Sequence, residues 1–167
     1  ILFATLTGML SRSHANDFPP AKDFAIETIA QDLSNPMEMS IAGDLVFIAE
    51  LHGNIKVVDL NTGITRVVAH LEVDYRKKGP KWSWDVESGV LGIAVGPNFE
   101  TSKWVYICYT RPGGKSVKHD HVVSRFRYEN GLLNKGSEQV IIKIPSLRDK
   151  DRIHEAGSLA FGPKGNL

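Results

Sequence analysis

Two loop residues have types and spacing suited to chemistry, Glu87 and His154. Each precedes a short apolar run that closes on Gly-Pro, Gly96-Pro97 after the first and Gly162-Pro163 after the second. Glu87 lies nine residues before Gly96 and His154 eight before Gly162, so they occupy near-equivalent places in consecutive copies of one unit. A histidine and a carboxylate converging on one concave polar surface can support proton transfer, because imidazole titrates near neutral pH. On residue chemistry alone His154 has two readings, a general base or a residue that orders its loop. Trp84, with Trp82 beside it, can stack on a sugar ring or pack under the loop that carries Glu87. His119-Asp120-His121 offers a partial metal site, but its Gly/Lys/Ser-rich surroundings read as an exposed turn. Gly113-Gly114-Lys115-Ser116 lacks the glycine spacing and the following helix of a phosphate loop.

The elements that must position these residues are short strands. Met37 to Ile41, Leu45 to Ala49, Ile55 to Asp59 and Ile64 to Val68 form one set of four, joined by tight polar turns. The set recurs as Val90 to Val95, Trp104 to Tyr109, Val122 to Tyr128 and Gln139 to Ile144. A third round begins at Gly157 to Pro163. No stretch beyond the first residues shows a helical period. Recurring four-strand units predict an all-β propeller, represented by two blades and the first strand of a third. A β-sandwich would explain short strands but not the recurring strand–Gly-Pro–strand unit. In a propeller the first strand of each blade lines the channel, and the loops leading into those strands gather at one mouth. Both Glu87 and His154 belong to such loops.

Composition excludes several partners. Hydrophobic residues make up 42 %, charged residues 23 %, and the formal net charge is +1, so no strong field draws nucleic acid or an anionic membrane. Arg76-Lys77-Lys78 reads as a solvated loop. The run from Ile1 to Leu10 is too short for a stable membrane span and resembles the apolar part of a signal peptide. Ser13-His14-Ala15 supplies the small residues of a cleavage site, so residues 1–15 are expected to be a signal peptide and residues 16–167 the propeller part. That places the protein in the periplasm or outside the cell. The single cysteine, Cys108, is read as a buried core residue.

Asn35-Pro36-Met37-Glu38-Met39, Glu87 to Ala94, Pro97-Asn98-Phe99, Trp104-Val105-Tyr106, Val123 to Phe126 and His154 to Pro163 together resemble the glucose/sorbosone dehydrogenase family, in the family's order. The resemblance implies a six-bladed propeller of which this chain is an N-terminal part, two blades and an incomplete third. It implies pyrroloquinoline quinone and calcium as cofactors, with most of their contacts in later blades. It implies oxidation of an aldose sugar to a lactone, with His154 taking the anomeric proton while hydride passes to the quinone. Glu87 stands where the family has a glutamine near quinone and sugar, and Glu38 matches a recurrent glutamate of structural character. Ile153 replaces an aspartate of the soluble glucose dehydrogenases, which argues against glucose itself. The electron acceptor would be a partner such as a c-type cytochrome. Two other readings compete: a non-enzymatic propeller that binds a protein partner, and a calcium-dependent propeller lactonase. The fragment alone is expected to be inactive and prone to associate through its open blade faces.

Overall fold

The computed structural model describes residues 22, 24–74, 88–112, 120–145, 155 and 157–167. They form two four-stranded antiparallel sheets, each a meander in chain order. The first contains β1 (Pro36–Ala42), β2 (Leu45–Glu50), β3 (Asn54–Asp59) and β4 (Ile64–His70). The second contains β5 (Val90–Val95), β6 (Trp104–Thr110), β7 (Asp120–Glu129) and β8 (Leu132–Pro145).

Local chemistry sets the turns. Gly43 and Asp44 join β1 to β2, with Gly43 at φ 56°, a conformation that glycine adopts without a Cβ penalty. Asn130 and Gly131 join β7 to β8 with φ of 53° and 77°. Two positive φ values in a two-residue loop make the turn whose twist matches the strands it connects. Asp59 Oδ1 accepts the Asn61 and Thr62 amides at 3.0 and 3.2 Å, closing the turn into β4.

The core lies between the sheets. β2 is an apolar run rather than an alternation because both of its faces are covered. Phe47 and Ala49 pack toward the second sheet, together with Ile55, Val57, Val90, Ile93, Ile107 and Phe126. Val46 and Ile48 pack the other way, with Val58, under Ala30 and Leu33. Phe47 meets Phe99 and Tyr128 edge-on, with ring centroids 5.4 and 5.1 Å apart, a favoured aromatic geometry.

Three features depart from the expectation of strands alone. A four-residue helix, α1 (Phe99–Ser102), follows Asn98 and delivers Phe99 to the core. It ends at Lys103, which adopts φ 53° and donates its amide to the Phe99 carbonyl at 2.8 Å. A single turn has no periodicity to read. β8 starts at Leu132, well before Gln139, because residues 135–138 bulge from the ladder while Arg127 still pairs with Asn134. Third, Gly157 to Phe161 carries no ladder. It sits against the second sheet, with Phe161 edge-on to Tyr106 at 5.0 Å, and no partner strand follows it among the described residues.

Candidate functional site

β1 and β5 run side by side and parallel, each at the inner edge of its sheet. Side chains of β1 bond to the backbone of β5. Glu38 accepts the Ile93 amide at 2.8 Å and Ser40 accepts the Val95 amide at 3.0 Å, with the same 55-residue offset. Glu38 also accepts the Ser158 hydroxyl and, at 3.4 Å, the Leu159 amide. One carboxylate thus ties together the innermost segments of three successive units. Glycine makes the approach possible: a Cβ on Gly92 would fall 1.8 Å from the Gly157 carbonyl oxygen. This is the arrangement of innermost strands around a propeller axis.

The mouth is the end at which β5 begins. Gly89 is held there at φ 145°, and a Cβ on it would lie 2.0 Å from the Leu51 carbonyl oxygen. Val90 donates its amide to that carbonyl at 2.9 Å, and Thr110 donates to Gly89 O at 2.9 Å. The start of β5 is therefore pinned to the first blade and to β6.

A buried polar group fills the same end. His121 Nε2 lies 3.1 Å from Glu155 Oε2, with side chains only 9 % and 6 % exposed. Thr110 Oγ1 lies 3.4 Å from His121 Nδ1 and 3.5 Å from Glu155 Oε2. Ser88 Oγ donates to Glu155 Oε1 at 3.4 Å. An ionised carboxylate only accepts, so Nε2 donates to Glu155, and Thr110 has one hydroxyl proton to give either to His121 Nδ1 or to Glu155 Oε2. Asp120 and His121 are the first residues of β7, and His121 is buried. This corrects the exposed-turn reading at Asp120 and His121, which belong to β7, where His121 pairs with Thr110 and is buried. Glu155 was part of a recognisable motif, but nothing in the sequence linked it to a histidine 34 positions earlier.

Burial, helped by the negative charges of Glu38 and Glu155, pushes the Cys108 thiol up to about 11. It stays protonated at neutral pH and is no thiolate nucleophile. Further from the axis, Glu138 accepts from Arg111 Nη2 at 2.6 Å, from Tyr109 at 2.7 Å and from Ser124 at 2.7 Å. Burial opposes ionisation of Glu138, but these donors outweigh it and hold its carboxyl below the usual range.

His154, Glu87, Trp84, Trp82, His119 and the leader 1–15 lie outside the described residues. Among the described residues no three His, Cys, Asp or Glu side chains converge as a metal site. A quinone bearing carboxylates needs cationic donors, and the Arg111 guanidinium at this end is already committed to Glu138. The described residues therefore do not fit that cofactor by themselves. No helix among them is long and apolar enough to cross a membrane.

The two stacked meanders and their inner-strand contacts define a β-propeller protein, whose described residues form eight strands and one four-residue helix. The family model for Glucose / Sorbosone dehydrogenase matches residues 33–167, and the chain belongs to that family. Its fold matches an oxidoreductase assigned as a glucose dehydrogenase from Thermus thermophilus, with a TM-score of 0.65 and 26 % identity over 83 % of this chain and 38 % of that one. It also matches the PQQ-bound aldose sugar dehydrogenase of Streptomyces coelicolor, with a TM-score of 0.63 and 24 % identity over 84 % of this chain and 38 % of that one. The human Hedgehog-interacting protein is 26 % identical over 170 residues, 95 % of this chain and 23 % of that protein. The chain thus spans well under half the length of these relatives.

Proposed function

We propose that the full-length protein is an exported quinone-dependent oxidoreductase that converts an aldose to its lactone. The family match carries this reading, because it takes in the segment with His154, whose chain neighbour Glu155 is buried at the mouth of the second blade. His154 is the general base: a neutral imidazole takes the anomeric hydroxyl proton as the C–H bond breaks. Pyrroloquinoline quinone, when bound with calcium, supplies the hydride acceptor, and a c-type cytochrome is the onward electron partner. Glu87 and Trp84 orient sugar and cofactor at the mouth. Ile153 brings no carboxylate to the sugar, and Glu155 is turned into the blade, so the substrate is an aldose other than glucose. Export follows from the leader-like residues 1–15 and places the reaction in the periplasm or outside the cell.

The match to the human Hedgehog-interacting protein favours a second reading, a propeller that binds a protein partner without catalysis. The deciding experiment reconstitutes the full-length protein with pyrroloquinoline quinone and calcium and assays a panel of aldoses with a dye acceptor. Quinone-dependent lactone formation is expected. Stoichiometric quinone binding without oxidation of any aldose, or no quinone binding at all, would overturn the enzymatic reading in favour of the binding module.

A further inference from the structure

The second sheet carries a cationic face that no described residue neutralises. Alternation along β6 sends Val105, Ile107 and Tyr109 into the core against the first sheet, and Trp104 and Tyr106 to the opposite face. Arg127 and Arg125 are their β7 partners and share that face. The guanidinium carbons of Arg125 and Arg127 lie 4.3 and 4.7 Å from the Trp104 ring centroid, so one indole serves two cations. Arg125 also donates from Nε and Nη2 to Gln139 Oε1 at 2.9 and 2.7 Å, and from Nη1 to the Tyr106 hydroxyl at 3.4 Å. The Arg127 guanidinium bonds to no described side chain, and neither cation pairs with a carboxylate among the described residues. Trp104, Arg125 and Arg127 are all half-buried. Two like charges side by side and partly withdrawn from water call for an anion.

We propose that this stack receives a carboxylate from the third blade. The third blade is already seated on the same face, where Phe161 meets Tyr106 edge-on at 5.0 Å and Tyr106 in turn is bonded to Arg125. Toward the mouth the face bares Ile142 and Ile144, 50 and 46 % exposed, opposite Val123 and His121 of β7. A face that is apolar at one end and cationic at the other fits a sheet with apolar residues near the mouth and an acid at the far end, not a free anion. Ring closure lays the rest of the third blade over this face, so its strands beyond Leu167 bring that acid to Arg125 and Arg127 in the full-length protein. The first and second blades meet over apolar side chains. The second and third are joined by charge as well, which distinguishes one blade junction from the other.

The test uses the full-length protein with Arg125→Met, Arg127→Met, Arg127→Lys and Arg127→Glu, read by native-state hydrogen exchange at Phe161 and in the strands that follow it. Methionine keeps the packing on Trp104 and removes the charge. Each Met variant should speed exchange there about 10-fold, the effect of losing one charge-assisted hydrogen bond on local opening. Arg127→Lys keeps the charge and should stay within about 3-fold of the parent. Arg127→Glu should speed exchange about 100-fold, because it sets a second carboxylate against the first. These ratios should not change with added sulfate or with protein concentration. Equal acceleration by Met, Lys and Glu would mean that packing alone matters, and parental exchange in all of them would mean that the stack faces water; either overturns the proposal. Protection that rises with sulfate would assign the stack to a free anion, and protection that rises with protein concentration would assign it to another chain, and each of these also overturns it. If Arg127→Glu fails to fold by circular dichroism, the contrast between Arg127→Met and Arg127→Lys decides.

Discussion

Glu38 on β1 accepts the Ile93 amide of β5 at 2.8 Å, so one blade supplies the hydrogen bond that the inner edge of the next blade lacks. An edge strand exposes a row of unpaired amides. In this protein the side chains of Glu38 and Ser40 meet two of them. The bond between the blades is thus polar at the axis and apolar behind it.

Removing that clasp should be costly. Glu38→Ala leaves the Ile93 amide without its partner and should destabilise by about 1–3 kcal/mol. Glu38→Gln keeps one accepting oxygen and should lose less than half as much. Chemical denaturation of the full-length protein checks both, and equal losses would mean that the charge, not the accepted hydrogen bonds, matters.

Gly92 is required for space, not for backbone conformation. A Cβ there meets the Gly157 carbonyl at 1.8 Å, and Gly92 is not among the positive-φ residues. Gly92→Ala should therefore destabilise by about 2–4 kcal/mol through overpacking. It should also loosen the segment from Gly157 onward, read as faster hydrogen exchange at the Leu159 amide. Gly63, at φ 69° with nothing within 4 Å of its Cβ site, gives the contrast. Gly63→Ala should lose only about 1 kcal/mol, the left-handed penalty.

Stability should fall on the acid side through Glu50 and Glu138. Burial opposes ionisation of Glu50, but hydrogen bonds from Lys56, Ser34 and Asn54 outweigh it and hold its carboxyl below the usual range. A carboxyl with a depressed folded pKa contributes stability above its unfolded value, about 4.3, and that contribution is lost as pH falls through the folded value. The melting temperature should drop between about pH 5 and pH 3. Glu50→Gln should flatten this slope while lowering stability at pH 7, because Lys56, 14 % exposed and 2.7 Å from the carboxylate, keeps its charge. A variant with the parental acid slope would remove Glu50 from the account.

The catalytic assignment has its own test. His154→Ala should lower turnover by roughly 100- to 10,000-fold, the span for losing a general base. Quinone binding should survive, and KM should change less than kcat. Glu87→Gln should have a milder effect. An alanine variant that binds quinone and oxidises aldoses at the parental rate would make His154 a loop-ordering residue.

Much of this architecture is legible in local chemistry. The apolar run Leu45 to Ala49, the Asn130-Gly131 turn and the repeated Gly-Pro after Val95 and Phe161 are short-range signals, and each specifies strand or turn without reference to the rest of the chain. The four-stranded meanders follow because tight turns leave successive strands nowhere to pair but with each other. Other features depend on distant neighbours. The α1 turn is four residues long and exists because Phe99 reaches Phe47 across the blades. His121 sits in a sequence that reads as an exposed turn, yet the ladder with β6 buries it beside Glu155. Glu38 is polar on an inner strand and finds its partners 55 and 120 residues away. Hydrophobic pattern and turn chemistry act over a few residues, so the sequence by itself determined the strands, their turns and their repetition. Satisfaction of buried polar groups acts between blades, so only the tertiary structure decided which acid meets which donor at the axis and at the mouth.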